Sequence, residues 1–93
     1  MIFEWDEHKN RVNRAKHHVS FETAQLVFFD PFQLTLYDRA QGGEERWHTI
    51  GKAAGVQLLL VVHTHRDEQG EEIIRIISAR RPTRKERERY EQG

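Results

Sequence analysis

Apolar and polar positions change rhythm along this chain, and each rhythm predicts an element. Ile2 to Trp5 alternates apolar and charged residues, the period-two pattern of a short strand. Asp6 follows as a helix cap, since its carboxylate can accept the free N–H groups of a first turn. Glu7 to His18 is polar except for Val12 and Ala15, which predicts a helix touching the core along a narrow stripe. Ser20 is a second cap. Phe21 to Phe29 sets Phe21, Ala24 and Phe28 on one helical face, with Leu26, Val27 and Phe29 widening it, so this helix is expected to be well buried. Asp30-Pro31 ends it, because a residue before proline avoids the helical region.

Beyond Pro31 the period falls to two. Gln33 to Tyr37 reads as a strand and Gln41-Gly42-Gly43 as a turn. Arg46 to Lys52 places Arg46, His48 and Ile50 on one side and Trp47 and Thr49 on the other. After a turn at Ala54-Gly55, Leu58 to Val62 is continuously apolar, as in a central strand covered on both faces, and continues to Arg66. Asp67 to Gly70 makes a loop. Strict alternation along Ile73 to Arg80 assigns Ile74, Ile76, Ser78 and Arg80 to one face and Ile73, Arg75, Ile77 and Ala79 to the other. Pro82 ends that strand, and Thr83 with Glu86 forms a capping box opening a basic helix to about Glu91. The expected order is β-α-α-β-β-β-β-α. It is an α+β two-layer fold with an antiparallel meander packed by two N-terminal helices and a C-terminal helix.

Composition narrows the options. With 93 residues, one domain spanning 1–93 is expected. The absence of cysteine removes disulfides, thiolate metal sites and thiol catalysis. The longest apolar run, Leu58 to Val62, falls far short of the roughly 20 residues of a membrane span, and the start of the chain lacks a signal-peptide layout. A cytoplasmic protein without membrane contact is therefore expected. The zero net charge hides an asymmetry. Residues 1–74 carry 8 basic and 12 acidic side chains, a net −4, while 75–90 carry 7 and 2, a net +5. A basic segment on an acidic body points to a localised anion site.

Arginines on strands are the main candidates for that chemistry. Arg46, Arg66, Arg75 and Arg80 lie in or at the ends of the meander, and the planar guanidinium suits phosphate oxygens. Surface ion pairs with neighbouring glutamates are the competing role for each. His48, two residues from Arg46, is placed for acid–base work near neutral pH, and Glu45 either acts as a base or orients an arginine. Arg81, Arg84 and Lys85 extend the basic surface, and Trp5, Trp47 and Tyr90 are aromatics able to stack on bases. His63-x-His65 offers two imidazoles on one strand face but no evident third ligand, so neither a metal nor a cofactor is expected. There is no glycine-rich phosphate loop and no Gly-x-Ser-x-Gly elbow.

The order of short motifs resembles the BrnT toxin family over nearly the whole chain. The first half carries Phe3-Glu4-Trp5-Asp6, Lys9, Asn13, Lys16-His17, Val19-Ser20-Phe21-Glu22, Ala24, Val27-Phe28 and Asp30-Pro31. The second carries Glu44-Glu45-Arg46, Ile50-Gly51, Leu59 to Val62, Thr64-x-Arg66, Arg75 to Arg80, Glu86 and Tyr90. His18 departs from the pattern, where the family often has a glycine ending the first helix. The resemblance implies a RelE-like fold and a metal-independent endoribonuclease that cleaves RNA, ribosome-bound or free, and shuts down translation. It further implies a type II toxin–antitoxin system. The partner would be a ribbon-helix-helix (BrnA-like) antitoxin encoded beside the toxin, with operator DNA contacted only through that antitoxin. Carried onto this chain, it implies Arg46, Arg66 and Arg80 as active residues, with Glu45 and His48 as companions. A non-catalytic RNA- or protein-binding module is the alternative from another class.

Overall fold

The computed structural model describes residues 1–93. Its elements are β1 (Ile2–Glu4), α1 (Glu7–His17), α2 (Phe21–Ala24), a 3-10 segment (Gln25–Phe29), β2 (Leu34–Gln41), β3 (Glu44–Ala53), β4 (Gln57–Glu68), β5 (Glu71–Arg80) and α3 (Arg84–Gln92). The class is α+β. One five-stranded sheet runs in the order β1-β5-β4-β3-β2. It is mostly antiparallel, but β1 pairs with β5 in parallel through Ile2–Ile73, Phe3–Ile74 and Glu4–Arg75.

The sheet has two differently used faces. One is covered by α1, α2 and the 3-10 segment, and the core lies between them: Val19, Phe21, Ala24, Val27 and Phe28 against Ala53, Leu59, Val61, Ile74, Ile76 and Ala79. The other face is crossed at one end by α3, which sits beside Leu36, His48 and Ile50. Ile50 and Leu60, paired across β3 and β4, are fully buried on that side.

Local chemistry explains the element ends. The Asp6 carboxylate accepts from the N–H groups of His8 (2.8 Å) and Lys9 (3.3 Å), and Ser20 accepts from Thr23. Thr83 and Glu86 form the reciprocal capping box that starts α3. His18 ends α1 at φ 60°, a left-handed conformation in which glycine carries no steric penalty.

Three expectations fail for identifiable reasons. Val12 and Ala15 do not form the buried stripe of α1; both are exposed, and the buried residues are Asn10 and Asn13. Asn10 accepts from the Phe21 N–H (2.9 Å) and donates to Glu7 and Glu22. Asn13 donates to the carbonyls of Val19 (2.9 Å) and Ala79 (2.8 Å) and accepts from the Ala79 N–H (3.1 Å). Asn13 docks the helix on backbone groups of Ala79 in β5 and Asn10 docks it on the start of α2, so apolar counting misses them. Leu26 and Phe29 are exposed as well, because the second helix tightens to 3-10 geometry after Ala24 and turns them outward. Finally, β5 does not alternate strictly. Val62 pairs with Ser78 but His63 pairs with Ile76, leaving Ile77 as a bulge.

Candidate active site

The bulge decides which side chains meet. Thr64 pairs with Arg75, and Leu60 with Arg80. Thr64 and Leu60 are an even number of residues apart on the unbulged β4, so Arg75 and Arg80 project from the same face. Strict alternation would have separated them. Val62 and Thr64 share this face, and through the His48–Val62 pair so does His48. Arg46 and Glu44 follow at two-residue steps along β3. The face opposite the N-terminal helices therefore gathers Arg46, His48, Thr64, Arg66, Arg75, Ser78 and Arg80 beside α3.

The arginines on it differ in what they hold. Arg66 donates to Glu4 (2.8 Å) and Glu68 (3.3 Å), and these bonds raise its pKa further. Arg80 grips Glu86 with two bonds, Nη1 to Oε1 at 2.8 Å and Nη2 to Oε2 at 3.0 Å. That fork, ahead of every other cause, pulls the Glu86 carboxyl down to about 2. Arg75 pairs with Glu44. Arg46 alone has no carboxylate; its Nη1 donates to the Gln41 amide oxygen at 3.2 Å. The Nε atoms of Arg46 and Arg75 are both buried without a hydrogen-bond partner. Each is a donor whose desolvation, worth about 1–3 kcal/mol, an arriving phosphate oxygen would relieve.

The arginines share a face without converging on one point. Arg46 lies one step beyond the Trp47–His63 pair, toward Thr64 and Arg75. Arg66 is paired with Ile73, further toward the β4–β5 turn, and Arg80 stands at the α3 end. His48 lies between, half-buried, lining a cleft with Leu36, Ile50, Lys85, Glu86 and Arg89. Glu45 falls on the opposite face by alternation and is exposed, so the structure does not bring it to the arginines. On β3 it is Glu44 that reaches one of them, Arg75, and counting in twos back from Arg46 is the signal that could have found it. Arg81, Arg84 and Lys85 are exposed around the start of α3.

Other candidate residues have structural duties. Tyr90 donates to the buried Asp30 (2.6 Å), anchoring the end of α3. Burial first and the Asp30 bond second push the Tyr90 hydroxyl up to about 12. Burial alone would raise Asp30, but bonds from Tyr90 and the N–H groups of Lys52 and Phe32 outweigh it and hold the carboxyl low. Trp47 stacks edge-on against Tyr37, and Trp5 against Phe21 at the core margin. His63 is buried under the Phe28 ring, with Nε2 2.8 Å from the Thr49 hydroxyl, which in turn meets Thr35 (2.7 Å). Burial lowers its pKa to about 4. His65 is exposed and bonded to Glu72. No group of three or more His, Cys, Asp or Glu is placed to hold a metal ion, and no helix is long and apolar enough to cross a membrane.

The chain also resembles known proteins. A family model described as the ribonuclease toxin, BrnT, of type II toxin-antitoxin systems matches residues 5–86. Among solved structures, the Brucella abortus ribonuclease toxin BrnT is similar in fold, with a TM-score of 0.59 over 90% of this chain and 100% of that chain at 22% identity. No curated protein matches the sequence.

Proposed function

This chain belongs to the BrnT family of ribonuclease toxins of type II toxin–antitoxin systems, and from that premise we propose that it cleaves RNA on the sheet face that carries Arg46, His48 and Arg75. The observation that carries this reading is the gathering of four strand arginines and one histidine on a single face beside a basic helix. Cleavage requires the ribose 2′-hydroxyl to lose its proton, the charge gathering on phosphorus to be stabilised, and the leaving oxygen to gain a proton. Arg46 and Arg75, each with a free buried Nε donor, supply the second requirement. Arginine stays protonated, so proton transfer falls to His48, the titratable imidazole on that face with no hydrogen-bond partner of its own. Its position favours it over Glu45.

Arg66 and Arg80 join the site by exchanging carboxylate for phosphate as RNA arrives, and Arg81, Arg84 and Lys85 contact the RNA backbone. Such contacts make binding weaken steeply with salt. In this reading the fold is RelE-like, no metal takes part, and cleavage of messenger RNA arrests translation in the cytoplasm. The antitoxin is of ribbon-helix-helix type and alone connects the toxin to operator DNA.

The test is cleavage of an end-labelled messenger RNA by purified protein in EDTA, with and without ribosomes. Arg46→Ala and His48→Gln should each lower the rate about 10²–10³-fold. Wild-type rates in both variants would refute the assignment. The carboxylate partners of Arg66 and Arg80 favour a second reading, a non-catalytic RNA-binding module; new RNA ends in the wild-type digest exclude it.

A further inference from the structure

Thr64 lies in the middle of the arginine face, yet only 7% of it is exposed. No helix covers it there, since α3 sits at the other end of that face beside Leu36, His48 and Ile50. Its one bond outside the sheet ladder runs through its carbonyl, 3.3 Å from His63 Nδ1. The hydroxyl has no partner. A polar group hidden from water and left unpaired costs stability, so a reason for it must be found in its surroundings.

Its neighbours supply one. Thr64 pairs with Arg75 on β5, Arg75 with Glu4 on β1, and Arg46 with Arg39 on β2. Arg46 follows the Trp47–His63 pair and so stands opposite Thr64. One row across the sheet therefore reads Arg39, Arg46, Thr64, Arg75, Glu4. The residues flanking Thr64 are the two arginines whose buried Nε atoms lack an acceptor. Side chains facing each other on adjacent strands stand about 5 Å apart, so all three donors can reach the oxygens of one tetrahedral anion.

The row is covered by one ion pair. Glu44 is on β3 and its partner Arg75 on β5, with β4 between them. Strands two apart are separated by about 9–10 Å, so both side chains lean over β4 to meet. The pair roofs the Thr64 stretch. It engages only Nη2 of Arg75 and leaves Nε unpaired. Both partners remain partly in solvent, where such a bond is weak and readily exchanged. The other carboxylates at this end, Glu4 and Glu68, are held by Arg66.

We propose that Thr64 is a direct ligand of the RNA phosphate, its hydroxyl donating with the Arg46 and Arg75 Nε groups to one phosphodiester, and that the Glu44–Arg75 pair closes this seat until the phosphate displaces the Glu44 carboxylate. The proposal rests on the reading of this face as the RNA site and adds to it a neutral ligand and a resident anion that competes with the substrate.

The test is fluorescence anisotropy with a 2′-O-methyl oligoribonucleotide, which lacks the attacking hydroxyl and so reads binding apart from cleavage. A hydrogen bond to a charged group is worth about tenfold in affinity or more. Thr64→Val, which keeps the shape and the strand preference, should bind about tenfold more weakly, and Thr64→Ser should restore binding to within threefold of wild type. Glu44→Gln should bind at least threefold more tightly. Circular dichroism melts matching wild type establish that the variants fold, and Glu44→Gln tests the closed seat independently of any change at Thr64. Affinity of Thr64→Val within threefold of wild type overturns the role of the hydroxyl. So does a Thr64→Ser variant as weak as Thr64→Val, which would make the methyl group the feature that matters. Glu44→Gln binding no more tightly than wild type overturns the closure, and a wild type that does not bind the analogue overturns the seat. Binding with this pattern but no cleavage of unmodified RNA would sink the nuclease assignment and leave the phosphate seat standing.

Discussion

Replacing Asn13 with alanine should damage this domain far more than replacing Val12, the reverse of what side-chain polarity suggests. Asn13 is 6% exposed and serves three backbone groups: the carbonyls of Val19 and Ala79 and the Ala79 N–H. Alanine leaves all three without their partner in a site that water reaches poorly. A buried unsatisfied group costs about 1–3 kcal/mol, and allowing for some rehydration of the carbonyls the total comes to about 3–4 kcal/mol. For a domain of this size that is a fall in Tm of roughly 15–25 °C. Asn13→Asp should be no milder, because it keeps the acceptor for Ala79 N–H but turns a carboxylate oxygen against two carbonyls. Val12 is 51% exposed, so Val12→Ala should stay within about 0.5 kcal/mol of wild type. Urea denaturation at neutral pH, followed by far-UV circular dichroism, measures all three. A cost below about 1 kcal/mol for Asn13→Ala, or a larger cost for Val12→Ala, would refute the claim that α1 docks through its amides.

Acid sensitivity should have two separable origins. His63 is held near pKa 4 when folded and returns to about 6.5 when unfolded, so the unfolded chain binds the extra proton between those values and stability falls as pH drops from 6.5 to 4; His63→Gln should flatten that part of a stability–pH curve, and an unchanged slope counts against it. Glu86, held at about 2 by Arg80, contributes stability that is full above its unfolded pKa near 4.5 and is lost as pH falls toward 2; Glu86→Gln should remove that acid limb, measured by thermal melts across pH 2–5. His18→Gly should raise stability by about 1 kcal/mol, since φ 60° strains any residue with a Cβ; an unchanged or lower denaturation midpoint would show that the strain is absent.

Much of this architecture is written in local pattern. The caps at Asp6, Ser20 and Thr83, the apolar centre of β4 and the shared side of Arg46, His48 and Ile50 are all set by neighbours in sequence. What escaped depends on distant partners. The parallel pairing of β1 with β5 joins residues about seventy positions apart, and the burial of Asn13 makes sense only once the free backbone of Ala79 is in place. The Arg66–Glu4 pair spans a similar gap. The grouping of Arg75 with Arg80 was missed for a smaller cause, the one unpaired residue between them.

That extra residue, Ile77, makes the charge pattern of the last strand a matter of odd and even. Arg75 and Arg80 stand five positions apart, so they share a face only because one residue between them is unpaired. Removing Ile77 would leave them four apart, and a plain ladder would then carry both on the same side. Losing the bulge while keeping all five steps would instead drive one arginine into the apolar layer under α1 and α2. The basic surface therefore survives a shortening at 77 but not a regularised strand of the present length.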